Sequence, residues 1–273
     1  TGDSNHNDLA ATYAATATIS NATITVNAPN QSYTYDGSAH GSAIAVTTVG
    51  SQTATIKYGT VSGTYNLNSN PTAINVNDSK TVYYQVTAPN HSTVTGSYTL
   101  TITKADSAVT APTAQTGLTY NKSAQELINA GSSSTGTIKY AVTSSGASAP
   151  SDSAYSTDIP SETNAGTYKV WYKSFGDNNH NHSVASSIDV TIGKKEVGLA
   201  WGDTSFTYNG SPQAPTATIS GVINGDDCTV SVSGARTNYS ATAYTATAEL
   251  NGAKAGNYAL PTDPNTNFTI GKR

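Results

Sequence analysis

Apolar and polar positions alternate in short runs along most of the chain, as in Ala22-Thr23-Ile24-Thr25-Val26, Thr99-Leu100-Thr101-Ile102-Thr103 and Cys228-Thr229-Val230-Ser231-Val232. A period of two puts every second side chain on one face, which predicts half-buried β-strands. Gly, Asn, Asp and Pro separate the runs and mark turns. Thr, Ser, Asn, Ala, Val and Tyr dominate and Met is absent, a strand-and-turn vocabulary with little helical potential.

The pattern repeats at a longer period. Ser32-Tyr33-Thr34-Tyr35-Asp36-Gly37, Gly117-Leu118-Thr119-Tyr120-Asn121-Lys122 and Ser205-Phe206-Thr207-Tyr208-Asn209-Gly210 are copies of one phrase, with tyrosines 35, 120 and 208 about 85 to 90 residues apart. Alternation predicts core pairs Tyr33 with Tyr35, Leu118 with Tyr120, and Phe206 with Tyr208. The Asp-Gly or Asn-Gly that follows predicts a turn with positive φ, which Lys122 makes less favourable in the middle copy. A row of sugar-stacking tyrosines is the functional alternative to core packing.

Other landmarks keep the same order. Thr55-Ile56-Lys57-Tyr58 and Thr137-Ile138-Lys139-Tyr140 are identical, and Cys228 to Val232 stands in their place in the third copy. Late strands Val82–Val86, Tyr168–Lys173 and Tyr244–Leu250 follow, then polar turns at Pro89–His91, Gly176–His180 and Gly256–Tyr258. Each copy closes on an apolar residue, Thr, Ile, a small residue and Lys, ending at Lys104, Lys194 and Lys272. Boundaries therefore fall near Ala105 and Lys195, giving repeats over 21–105, 106–195 and 196–273. Gly2-Asp3-Ser4-Asn5-His6-Asn7 matches the turn at Gly176–Asn181, so 1–20 reads as the closing strand of a preceding repeat, expected to add to a sheet edge. Six to eight short strands per repeat predict an all-β chain of tandem immunoglobulin-like β-sandwich domains. A propeller blade would need about half that period.

Composition narrows the function. The 273 residues are 36% hydrophobic and 11% charged, with a net charge of −4. Neither nucleic acid nor an anionic membrane is an expected partner. No apolar run approaches the roughly 18 residues of a membrane span. The first residues carry no signal-peptide pattern, so the chain reads as a segment of something longer. The single cysteine, Cys228, permits no intrachain disulfide and alternates with Val230 and Val232 as a core residue.

Candidate chemistry is sparse. His6, His91 and His180 share the polar turn, where Tyr258 stands in the third copy, so the position reads as a ring lying over the sandwich end. His180 and His182 with Asp177 form a weak zinc pattern, and Asp177–Asn179 and Asp226-Asp227 weak calcium patterns. Solvated turns are preferred, with no metal and no cofactor. Lys57 and Lys139 are candidates for Lys–Asn cross-links, but alternation turns them outward and no acid recurs beside them. No nucleophile motif, phosphate loop or carboxylate pair supports an enzyme. Trp171, together with Lys169 and Lys173, and Tyr83 at the position matching Trp171 are predicted to face outward, where rings can stack on a glycan; the alternative is cross-strand packing under lysine stems.

These phrases, with Thr163-Asn164-Ala165-Gly166-Thr167-Tyr168 and the Gly-Asp-x-Asn-His turn, resemble bacterial Ig-like repeats of the MBG and YDG type. The resemblance runs from about Asn21 to Arg273. It implies β-sandwiches in a secreted or cell-wall-attached adhesin-like protein of the bacterial cell surface, with a stalk role and no catalytic residues. The expected partner is a host or environmental glycan or protein. The short junctions, without Gly/Ser or Pro runs, predict a monomeric, semi-rigid rod.

Overall fold

The computed structural model describes residues 16–273. The described residues contain strands, four short 3-10 turns and no α-helix. The chain forms two compact units, one through Ala105 and one from Asp106 to Arg273.

In the first unit, β1 (Ile24–Asn27) pairs antiparallel with β3 (Ala45–Thr48). The larger sheet has four strands: β2 (Gln31–Thr34), β4 (Thr55–Gly59), β5 (Lys80–Thr87) and β6 (Val94–Thr103). Their order is β2-β6-β5-β4, with β2 parallel to β6 and the other pairs antiparallel. Alternation works as predicted: Val82, Tyr84 and Val86 are buried on β5, and Tyr98, Leu100 and Ile102 on β6. Ile24 from the smaller sheet and Ile44 just ahead of β3 close the same core, which makes the unit a sandwich. Each such side chain contributes about 1.5–3 kcal/mol by leaving water.

The second unit holds two larger sheets. Strands β7 (Gly136–Ser144), β8 (Gly166–Gly176) and β9 (Ser186–Ile192) run antiparallel in that order. Short ladders between 109 and 162 cover them, and the core is Leu127, Ile128, Tyr140, Val170, Val190 and Ile192. Next come β10 (Lys195–Glu196), β11 (Gly198–Trp201), β12 (Ser205–Thr207) and β13 (Ala217–Ser220). They are followed by β14 (Thr229–Ser233), β15 (Tyr244–Asn251), β16 (Tyr258–Ala259) and β17 (Asn265–Gly271). The sheet order β12-β17-β15-β14 repeats that of β2-β6-β5-β4, down to the parallel pair of the phrase strand with the closing strand. Its core is Ala246, Phe268 and Ile270, packed by Trp201, Phe206, Val232 and Tyr244.

The repeated phrase folds alike each time. Asp36, Asn121 and Asn209 each accept the backbone N–H two residues on, at 2.8, 2.9 and 2.9 Å. Gly37, Lys122 and Gly210 have φ of 81°, 70° and 83°, so the predicted left-handed turn forms even at lysine. The tyrosine N–H bonds the closing strand: Tyr35 to Thr103 O and Tyr120 to Gly193 O at 2.9 Å, Tyr208 to Gly271 O at 3.0 Å.

The expected core pairs need correction. Tyr33, Tyr35, Leu118 and Phe206 do pack on the sheet cores. Tyr120 belongs instead to a separate buried cluster with Val197, Cys228 and Tyr258, and Tyr208 is 40% exposed. The backbone bond is the same in all three copies, so what covers each ring decides its place: Tyr120 is taken up by Asp226 and the ring of Tyr258. Most of the expected edge strand over 1–20, including His6, lies outside the described residues; 16–20 form no strand, and Ile19 is 95% exposed.

Candidate functional site

A group of mutually bonded polar residues in the second unit is built around Asp226. It lies in the loop between β13 and β14, where Gly225 at φ 82° lets the chain reverse. Asp226 N–H then bonds Ile223 O at 3.0 Å, and the carboxylate turns inward until its side chain is 1% exposed. A buried carboxylate is costly unless several donors meet it. Here the Tyr258 hydroxyl donates to Oδ2 at 2.6 Å and the Tyr120 hydroxyl to the same oxygen at 2.7 Å. Oδ1 faces Lys122 Nζ at 3.1 Å, and that ammonium donates to Asn224 O at 2.9 Å. The two tyrosine rings meet edge to face, 5.5 Å between centroids.

The protonation states follow. The hydroxyls of Tyr258 and Tyr120, with Lys122 beside them, hold the Asp226 carboxyl down to about 2. Burial, then the hydrogen bond to the carboxylate, pushes the Tyr120 phenol up to about 12. Tyr258 moves up for the same two reasons. Across the neutral range both phenols stay donors and Asp226 stays an acceptor.

A second set of bonds flanks the carboxylate. Asn257, buried in the turn before β16, accepts Ala165 N–H at 2.8 Å and donates to Asn164 Oδ1 at 3.2 Å. The connecting segment is itself a strand: β10 pairs in parallel with β16, and Val197 N–H bonds Ala259 O at 3.0 Å. Residues before 195 and after 196 are thus joined through a polar lock, an amide bridge and a small apolar cluster. The chemistry is positional: Oδ2 accepts two phenol hydrogen bonds, while Oδ1 is met by the Lys122 ammonium alone. Burial raises the Cys228 thiol, with Asp227 and Asp226 adding to it.

The residues singled out from sequence are distributed differently. The sequence offers Asp226 only as a calcium ligand in a solvated turn, whereas the fold buries it. Its neighbour Asp227 accepts Ala253 N–H at 2.9 Å and so orders the turn at 252–254. No group of three His, Cys, Asp or Glu that could hold a metal occurs among the described residues. His180 Nδ1 lies 2.8 Å from Asp177 Oδ1, whereas the His182 ring meets Phe175 edge-on at 4.9 Å, so the two imidazoles serve different partners.

His91, buried, has its Nδ1 2.7 Å from the Pro89 carbonyl oxygen, and its backbone bridges Ala22 in parallel as Tyr258 does Lys195. Lys57 Nζ donates to the side-chain oxygen of Asn68, on an exposed residue, while Lys139 Nζ sits 4.8 Å over Phe175.

Trp171 and Tyr83 are both half-buried, in different units. Trp171 Nε1–H donates to Thr143 Oγ1 at 3.0 Å, and Lys169 Nζ lies 5.9 Å from the indole centroid. Tyr83 stands opposite Gly59 and Ser97. Lys173, expected outward beside Trp171, is 8% exposed: it bonds Asp152 Oδ1 at 2.7 Å and lies over Phe175 and Tyr155. The loop after β7, with its 3-10 turn Asp152–Ala154, brings those partners onto that end of the face.

No family model matches the chain, so the MBG and YDG resemblance rests on the quoted phrases alone. No curated protein matches either. Among solved structures, the chain is similar to extracellular cadherin domains 3–6 of protocadherin gamma B2, at 10% identity and a TM-score of 0.29, over 90% of this chain and 72% of that one. It is also similar to SGBP-B of the Bacteroides ovatus mixed-linkage glucan utilization locus, in complex with a mixed-linkage heptasaccharide. That match has 14% identity and a TM-score of 0.21, over 89% of this chain and 66% of the other. By its own strands and cores the chain is an all-β protein of immunoglobulin-like sandwich type.

Proposed function

We propose that this chain is a spacer segment of an extracellular, adhesin-like protein of a bacterial surface. It is built from Ig-like sandwiches over 21–105, 106–195 and 196–273 and performs no catalysis. The supporting observation is the joint around residue 195. A flexible tether needs only solvated residues. Here Asp226 is buried at its own cost and offset by Tyr120, Tyr258 and Lys122, an expense with a purpose if adjacent sandwiches must hold one orientation. Low charge and Thr-rich outer faces suit exposure to solvent without steering toward nucleic acid or anionic lipid.

The test is a display experiment. A reporter binding module carried on a bacterial surface at the end of this chain should capture a bead-bound ligand better than one on a Gly/Ser linker of equal residue count. Equal capture would contradict the spacer reading.

Glycan contact through Tyr83 and Trp171 is the second reading, favoured by the half-exposed indole with Lys169 beside it. It asks for a sugar that tolerates an indole N–H already bonded to Thr143.

A further inference from the structure

Tyr120 and Tyr208 occupy the same place in the repeated phrase, yet one is 2% exposed and the other 40%. Their backbones agree: each N–H bonds the glycine ending a closing strand, and each is followed by an Asn turn with positive φ. What differs is the cover. Over Tyr120 lies the loop carrying Asp226 and the turn carrying Tyr258. Over Tyr208 the described residues leave an open cleft of about 490 Å³, lined by Tyr208, Asn238, Tyr239, Lys272 and Arg273. Tyr239 is 45% exposed, and Lys272 Nζ lies 5.1 Å from its ring centroid.

We infer that this pole is a docking surface for the acid-bearing pole of a further repeat joined in series, whose loop carboxylate accepts the Tyr208 hydroxyl as Asp226 accepts that of Tyr120. The inference rests on the spacer reading. Three observations select this occupant. The same element is already seen seated on its partner around residue 195. The cleft pairs a phenol donor with two cations, Lys272 and Arg273, which complements a carboxylate loop. The run Gly271-Lys272-Arg273 restates Gly193-Lys194-Lys195, whose Lys195 begins β10 at the internal joint. One element is missing: Gly210 replaces Lys122, so the second joint would have the tyrosine bond without that ion pair.

The experiment appends a second copy of residues 196–273 directly after Arg273 of the full chain. Tyrosine nitration by tetranitromethane is mapped by mass spectrometry. In the unextended chain Tyr208 should react quickly and Tyr120 slowly. In the extended chain Tyr208 should lose its reactivity and match Tyr120. Changing the appended copy's equivalent of Asp226 to Ala should restore Tyr208 nitration while far-UV circular dichroism stays that of a β protein. Persistent Tyr208 nitration, or protection indifferent to that substitution, would overturn the inference. So would fast thiol labelling of the appended cysteine, since its cluster needs a docked tyrosine. Tyr120 serves as the internal reference. If it stays protected while Tyr208 does not, only this inference fails; if Tyr120 itself nitrates quickly, the joint and the spacer reading fail with it.

Discussion

The Tyr120 hydroxyl donates to Asp226 Oδ2 at 2.7 Å, although 106 positions separate the two residues in sequence. The bond is long-range, buried and shared with Tyr258, so it ties the end of one sheet to the beginning of the next. Truncating either hydroxyl should expose its worth. Tyr120→Phe and Tyr258→Phe should each lower stability by about 1.5–3 kcal/mol, the scale of one hydrogen bond to a charged group. The double variant should be non-additive, because both donors serve one oxygen. Urea denaturation of the four proteins in the cycle checks this; strictly additive values would mean that the bonds act independently.

Acid and alkali should weaken the joint from opposite sides. The folded pKa of Asp226 is depressed, so its contribution is present above the unfolded value near 4 and lost as pH falls through about 2. The folded pKa of Tyr120 is raised, so its contribution is present below about 10 and lost as pH rises through about 12. Stability against pH should therefore fall at both ends, and Asp226→Asn should flatten the acid limb. An unchanged acid limb in that variant would show that other carboxylates govern it.

Lys122 sets two effects against each other. Its left-handed backbone costs about 1–2 kcal/mol in a non-glycine residue. Its ion pair, on a side chain 43% exposed, is worth at most about 1 kcal/mol after solvent screening. Lys122→Gly should thus be neutral or mildly stabilising, whereas Lys122→Ala keeps the strain, loses the pair and should be the less stable by about 1 kcal/mol. Thermal melts of the two variants decide it; an Ala variant at least as stable as the Gly variant would mean that backbone strain does not outweigh the other effects at this position.

Cys228 lies in the same buried cluster as Tyr120 and Tyr258, and its thiol is raised by burial. Labelling by a thiol reagent should be slow in the native chain and faster in Asp226→Ala, which leaves two buried phenols without their acceptor. Fast native labelling would contradict the packing described for this cluster.

On a glycan array, Trp171→Ala should abolish any hits if the second functional reading is correct. Hits that survive the substitution would remove Trp171 from the contact.

How far the sequence can be read depends on the kind of signal. Strand alternation yields the core faces of β5 and β6, because a period of two is a local property of side-chain direction. The turn after each tyrosine is legible for the same reason, including its cost at Lys122. Alternation misplaces the ring of Tyr120 because it says which face a residue takes, not which later segment of the chain will cover it. It also turns Lys173 outward, since a covering loop, with Asp152 and Tyr155, is invisible to the strand that it covers. Asp226 escapes notice because an Asp-Asp pair in a polar loop looks the same whether solvated or buried. The usable hint is the turn position that accepts His or Tyr, which marks a ring at the sandwich end and so a place where neighbours meet.

The proposed spacer requires Asp226 and its partners to hold residues 136–192 and 195–271 as one body, and residual dipolar couplings measured on the two sheets test this most directly. In the native chain a single alignment tensor should fit both sheets, and in Asp226→Ala it should separate into two. Two distinct tensors in the native chain would show the joint to be a hinge and contradict the lock.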